Sequence, residues 1–374
     1  MISSPAAPLF DPADFRLPAG LTHVCAAGET PFLRRHDDAL ARYIHDKCQG
    51  ARGRQSQETT LEQTRGKLAA LWGVRADEIG WVSNVAEGMS LVLDSLGLGR
   101  GDRVCVMETE YPSVVAPLLA RPGAAYELRL APATGTEALA AAIDARTRAV
   151  LVSYVSYLNG ERFDLPALRR AADAVGALLI VDFTQASGYL PIPASIADFA
   201  FSASYKWMLG MTGTATAYWN RQRQPDWAPV SAGWYSLATD STRYDQGIRL
   251  RDDALRFTRG NPAHASLYVL SSALDYLLGF DPARIQAHVQ GLTTDLLRRL
   301  ASHGLESSTP ADPARHGASV CIARPDAALL HRRLDEAGVL AWNGRGRLRI
   351  SFHGYNCKAD VDRVESALLD ALRT

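Results

Sequence analysis

Through the first two-thirds of the chain, short β-rich runs alternate with segments of helical period, and no other feature constrains the fold as strongly. Residues 79–83, 103–107, 126–130, 149–155, 177–182, 198–202 and 215–219 read as strands. Helical patterns cover 86–96, 113–119, 136–145 and 165–175, and two more, 35–47 and 60–71, precede them. The run 177–182 is nearly all apolar, as a strand covered on both faces requires. Strands separated by helices predict an α/β fold with a mainly parallel sheet and right-handed crossovers.

The pattern changes after about residue 224. Residues 225–262 are rich in Pro, Gly, Trp and Tyr and predict an irregular connection. Long helical patterns at 263–278 and 283–302 follow, then strand, helix, strand and helix at 319–323, 326–337, 347–352 and 359–372. A chain of 374 residues exceeds one ordinary domain. The reading is a large domain over 15–245 and a smaller α+β domain over 246–374, with residues 1–14 packing on the latter.

Lys plus Arg number 40 and Asp plus Glu number 40, so the formal net charge is zero. A nucleic-acid or anionic-membrane surface would need a basic excess. Local arginine patches remain, Arg52 with Arg54 and Arg345 with Arg347 and Arg349, and these can serve small anions. The five cysteines are scattered and form no CxxC pair, which predicts a reducing compartment without disulfides or a zinc site. The N-terminus lacks the basic and apolar regions of a signal peptide. No apolar run reaches about 18 residues, so no membrane span is expected and the expected location is the cytoplasm.

The stretch with most chemical content is 181–219. Asp182 closes a buried strand, at the sheet edge where open α/β folds bind ligands. Lys206 follows another strand, between Tyr205 and Trp207. Desolvation in such surroundings lowers an amine's pKa and makes it a usable nucleophile. A carboxylate under a pyridine nitrogen keeps that nitrogen protonated, so the ring can accept electrons. Taken singly, a loop lysine is usually solvated and a strand-end aspartate is usually a cap; the joint spacing carries the argument.

That spacing resembles the class V aminotransferase family of fold-type-I pyridoxal-5′-phosphate (PLP) enzymes, which includes cysteine desulfurases, kynureninases and isopenicillin N epimerase-like proteins. The matching residues are Asp182, Gln185, Gly188, Asp198, Phe199, Ser204, Lys206, Trp207, Gly213 and Tyr218. The resemblance implies an aspartate-aminotransferase-like fold and a homodimer with active sites at its interface. It implies that Lys206 holds PLP as a Schiff base, Asp182 pairs with the pyridine nitrogen and Gln185 bonds the ring hydroxyl. Ser204-Tyr205-Lys206 is similar to kynureninases, which places Tyr205 at the cofactor phosphate, with Ser204 beside it.

Weaker motifs extend the match. In 81–88, a strand–turn–helix junction, the backbone amides of Val85 and Ala86 would bind phosphate at a helix N-terminus. Tyr111, in Glu108-Thr-Glu-Tyr-Pro112, would stack on the ring. In 155–160, Tyr157 falls near the ring hydroxyl and Asn159 suits a turn before Gly160. In 256–262, Asn261 would cross the dimer interface to the partner subunit's phosphate. Gly346-Arg-Leu-Arg-Ile-Ser-Phe-His-Gly-Tyr-Asn356 carries the family's R-x-S-x-x-x-Y-N as Arg349, Ser351, Tyr355 and Asn356. Arg349 would bind the substrate α-carboxylate with its planar fork.

Desulfurases use a loop cysteine before that arginine, and no Cys lies between Ala323 and Arg349. That disfavours a desulfurase; the expected reaction is amino transfer on an α-amino acid, which needs only the residues already named. The alternatives are C–S β-elimination from a cysteine-derived substrate, epimerisation, kynureninase-type hydrolysis, or a non-catalytic binding role.

Overall fold

The computed structural model describes residues 5–121, 123, 125–132, 135–238 and 243–373. A seven-stranded sheet forms its centre, in the spatial order Ile79–Val82, Ala215–Trp219, Phe199–Ala203, Leu178–Asp182, Thr147–Ser153, Arg103–Met107, Glu127–Ala131. Six strands share one direction, and Ala215–Trp219 runs against both its neighbours. The reversal has a local cause. A parallel return needs a crossover of about a dozen residues or more, usually helical, and the 204–214 connection carries no helix. It turns back as an antiparallel pair instead.

Helices cover both faces, so the strands bury side chains on each side. Val104 and Val106 enter one apolar core while Cys105 and Met107 enter the other. Leu179, Ile180 and Val181 are all fully buried. Asp198 stitches the sheet to its helical cover. Its Oδ2 accepts from Arg169 Nη1 at 2.6 Å and from Leu179 N at 2.8 Å, and its Oδ1 accepts from Gln224 Nε2 at 2.8 Å. Arg169 sits on the helix Leu165–Asp173.

A second, three-stranded antiparallel sheet has the order Trp342–Gly344, Arg347–Ser351, Ser319–Ala323, with Ala327–Glu336 and Lys358–Arg373 as its helices. Its hairpin turns at Arg345 and Gly346, with φ of +52° and +70°. The N-terminal segment joins this unit: Leu9 N and Phe10 N both donate to Gly354 O at 2.8 Å. Thr22–His23 pairs in parallel with Val339–Leu340, and Ser351 N donates to Val24 O at 2.8 Å.

The predicted strands and helices are present, most of them shifted by one or two residues. Two helices differ more: 136–145 ends at Ala141, and 60–71 is the end of Ala51–Trp72. Residues 51–59 carry no apolar stripe, so their helix follows from tertiary packing on His264–Leu277. That helix lies beyond the boundary read near residue 245, yet it packs on Ala51–Trp72 and His36–Lys47. The pairs Thr22–His23, Val339–Leu340 and Trp342–Gly344 are too short to show in a periodicity. Among the described residues no helix is long and apolar enough to cross a membrane.

Removing the carboxylate of Asp198 would leave the buried Arg169 guanidinium with only the half-exposed Asp173 as counter-charge and would strip Leu179 N and Gln224 of their acceptor. Asp198→Ala is expected to lose about 3–5 kcal/mol of stability, measured as a fall in the urea midpoint with an unchanged m-value.

Candidate active site

The strand order brings the carboxyl ends of Leu178–Asp182, Phe199–Ala203 and Thr147–Ser153 together. Asp182 is 3% exposed and accepts from Thr184 N at 2.8 Å through Oδ1. Burial raises its pKa, with the Thr184 hydrogen bonds and the Lys206 charge opposing that rise. Lys206 is 6% exposed. Burial first, and the Arg349 charge second, lower its pKa to about 8, with Asp182 pulling the other way. The Lys206 Nζ lies 5.5 Å from the Tyr111 ring centre and 5.4 Å from that of Tyr205.

The Lys206 segment is clamped from several sides. Thr30 Oγ1 donates to Lys206 O at 2.8 Å. His353 Nδ1 accepts from Gly354 N at 2.7 Å, so Nε2 carries the proton and donates to Trp207 O at 3.0 Å. Trp207 Nε1 donates to Gln185 Oε1 at 2.9 Å, and Gln185 Nε2 donates to Ala27 O at 3.0 Å. Gly188, with φ of +112°, lets this turn approach: a Cβ there would stand 2.1 Å from Trp207 O. Ser204 Oγ directs its proton to Met211 O at 2.8 Å and Thr214 O at 3.1 Å, which ties the loop and leaves only its lone pairs for a ligand.

Tyr111 owes its placement to its neighbours. Proline at the first helical position holds Tyr111 extended ahead of Pro112–Leu119. Tyr111 N donates to Glu110 Oε1 at 2.5 Å, and Glu110 also accepts from Ser153 N and Oγ at 2.8 and 2.6 Å. Glu110 is buried, and desolvation raises its pKa, with Asp182 among the charges adding to the rise. Tyr157 meets Tyr111 edge to face at 4.9 Å. Asn159 Oδ1 accepts from Glu161 N at 3.1 Å, the turn role expected before Gly160.

At the helix Val85–Ser95, Asn84 caps Glu87 N at 2.9 Å and Glu87 Oε2 accepts from Ser83 N at 2.7 Å. Among the described residues no partner is shown for the N–H groups of Val85 and Ala86, so both can serve an anion. Asn261 lines a cavity of about 320 Å³ with Ser83, Glu87, Thr214 and Arg259. Its Oδ1 accepts from Arg54.

Arg349 is 3% exposed. Its Nη1 donates to Tyr157 O at 3.0 Å, its guanidinium lies 4.4 Å over the Trp342 ring, and its Nε has no partner. Among the described residues no carboxylate pairs with it, which is a costly state for a buried cation. Burial lowers its pKa. Arg349 and Asp182 both lie within electrostatic reach of Lys206. The residues missed from sequence are Glu110, Thr30 and His353. The last two act through backbone carbonyls and leave no periodic signal. Glu110 stood inside a motif that was read for its tyrosine. Cys25, a scattered thiol in the sequence, lies near Arg349 and Lys206, and burial raises its pKa against the Arg349 charge.

This architecture is the type I fold of PLP enzymes. The family model of class-V aminotransferases matches residues 38–364, and the chain belongs to that family, whose cofactor is PLP. Among its sequence relatives is a probable cysteine desulfurase of Methanothermobacter thermautotrophicus, 26% identical over 342 residues and covering 82% of each chain. Another is the isopenicillin N epimerase of Amycolatopsis lactamdurans, 27% identical over 339 residues, or 82% of this chain and 84% of the relative. Similar solved structures include the apo cysteine desulfurase of Thermococcus onnurineus NA1, with TM-score 0.86, 20% identity and 98% and 99% of the two chains covered. They also include the cystine C–S lyase C-DES with its product cysteine persulfide, with TM-score 0.85, 19% identity and 94% and 98% covered.

With a pKa of about 8, Lys206 carries a neutral amine in about a tenth of molecules at pH 7 and about nine tenths at pH 9. The initial rate of PLP capture by apoprotein is expected to climb through that interval. Arg349→Gln removes a neighbouring positive charge, so it shifts the profile to higher pH; an unshifted profile would place the two groups out of electrostatic reach.

Proposed function

We propose that the chain transforms α-amino acids with Lys206 as the cofactor-bearing lysine and proton carrier, and that its reaction is amino transfer. The observation that carries the reading is the buried Arg349 guanidinium, with no acidic partner among the described residues and close enough to Lys206 to lower its pKa. A substrate α-carboxylate supplies the missing counter-charge, and the planar fork fixes its direction.

The residues suit PLP. A desolvated amine, a buried carboxylate, a flat tyrosine ring and two unpartnered helix N-terminal amides match, in turn, its aldehyde, ring nitrogen, ring face and phosphate. PLP supplies the electron sink that acidifies the substrate Cα–H. Asp182 would hold the ring-nitrogen proton, Tyr111 would pack on the ring, and Tyr205, Ser204, Val85 and Ala86 would hold the phosphate. The Gln185 side chain is tied to Trp207 and Ala27, which leaves one Nε2 proton for the ring hydroxyl. Lys206 Nζ, neutral in a substantial fraction near pH 8, takes the Cα proton and returns it. Asn261 serves the partner subunit's phosphate in a homodimer.

Amino transfer needs no group beyond these. A second reading, C–S β-elimination, draws support from the cysteine desulfurase among the relatives. Against a desulfurase of the loop-cysteine kind, the stretch before Arg349 holds the helix Ala327–Glu336 and a short hairpin, with no thiol between Ala323 and Arg349.

Purified holoenzyme is expected to be yellow, with borohydride fixing PLP on Lys206. An amino-acid screen following keto acids, sulfide and ammonia together separates the readings. Keto acid with PLP left as its amine form supports transfer, and sulfide with ammonia supports elimination. Lys206→Ala is expected to abolish turnover. Arg349→Lys is expected to lower kcat/KM by about 100-fold, mostly through KM.

A further inference from the structure

Three arginines with no carboxylate partner among the described residues converge on one short segment of the site wall. Arg349 Nη1 donates to Tyr157 O at 3.0 Å, Arg347 Nη1 to Leu158 O at 2.6 Å, and Arg345 Nη1 to the Tyr157 hydroxyl at 2.7 Å. Elsewhere arginines pair with acids routinely, as Arg169 does with Asp198 and Arg299 with Asp362 and Glu365. In a chain of zero net charge this is a concentrated positive field beside the reacting groups.

Arg345 is the informative member. It occupies the first central position of a two-residue hairpin turn with positive φ at both residues, a place that Asn, Asp or Gly fills with less strain. Its backbone is therefore held against its preference, and its side chain reaches back over the Tyr157 ring, 5.3 Å from the ring centre. Tyr157 is buried and meets Tyr111, whose ring lies 5.5 Å from Lys206 Nζ. Arg349 and Arg345 thus grip opposite ends of one residue, carbonyl and hydroxyl. The first is buried beside the Lys206 amine and the second is exposed at the outer end. The Tyr157 hydroxyl accepts one proton from Arg345, and the other guanidinium donors stay available.

We propose that Arg345, with the Tyr157 hydroxyl, recognises a second anion at the far end of the substrate side chain. The site then selects amino acids that end in an oxyanion over their uncharged isosteres. This rests on the reading of Lys206 and Arg349 given above. A chain with an α-carboxylate at Arg349 and a terminal carboxylate or sulfonate at Arg345 satisfies both cations, whereas an apolar or amide-ended chain leaves the outer one unmatched.

The test titrates holoenzyme with glutamate, glutamine, aspartate, asparagine and homocysteate, reading the visible band of bound PLP. Glutamate is expected to bind about tenfold tighter than glutamine, the size of one charge-assisted hydrogen bond. The advantage should shrink with added salt. Arg345→Gln removes the preference and leaves glutamine affinity within about twofold, and Arg345→Lys restores part of it. A gain confined to homocysteate or to the carboxylates identifies which oxyanion is taken. Equal affinity for glutamate and glutamine in the parent protein overturns the proposal while keeping the function above. So does an Arg345→Gln variant that loses both ligands and thermal stability alike, since that marks a structural tether. If no amino acid moves the band, the functional reading itself falls, and this one with it.

Discussion

Glu110, Asp182, Lys206 and Arg349 lie where water scarcely reaches them, and the molecule depends on keeping those four ionisable groups in register. Each is 8% exposed or less. Burial disfavours the charged form of all four; the attraction between Asp182 and Lys206 opposes it, whereas Arg349 acting on Lys206 and Asp182 acting on Glu110 add to it. The fold tolerates the arrangement because each group is anchored through backbone contacts. Asp182 is held by Thr184 N, Glu110 by Ser153 and Tyr111 N, Arg349 by Tyr157 O, and Lys206 by the clamps on its own carbonyl and that of Trp207. Among the described residues Arg349 Nε has no partner, and a carboxylate arriving there would supply the counter-charge that Arg349 lacks.

The clamps come from parts of the chain far apart in sequence. Thr30 lies on the N-terminal segment, His353 beside the second sheet and Gln185 after the central strand, yet all act within two residues of Lys206. The lysine is thus positioned by the docking of the smaller sheet and the N-terminal segment onto the larger one. Weakening that docking would disturb the amine before it disturbed the central sheet. The neutral tautomer of His353 fits this role, because its burial holds its pKa at about 4 and its two nitrogens are already engaged.

The relatives include a probable cysteine desulfurase and an isopenicillin N epimerase, two different reactions. In this chain the stretch before Arg349 is ordered as a helix and hairpin and carries no thiol. Arginines crowd the Tyr157–Leu158 wall, and Cys25 lies on the segment that covers Lys206. Under the proposed function, these features bear on which side chain is accepted, whereas Asp182, Lys206 and Arg349 bear on the chemistry at Cα.

From sequence alone the alternating periodicities determined the α/β architecture and the order of the strands along the chain, and the resemblance to the class V family singled out Asp182, Lys206 and Arg349. Those signals are local, or are spacings within one motif. The sheet order, the reversal of Ala215–Trp219 and the helix over residues 51–59 were decided by packing, since no residue in those stretches states its partner. The same holds for the Glu110–Ser153 contact, the His353 clamp and the Arg345–Tyr157 pair, each joining residues that periodicity cannot relate. The pKa values belong to the tertiary structure as well, because a charge is costly only once folding has removed its water.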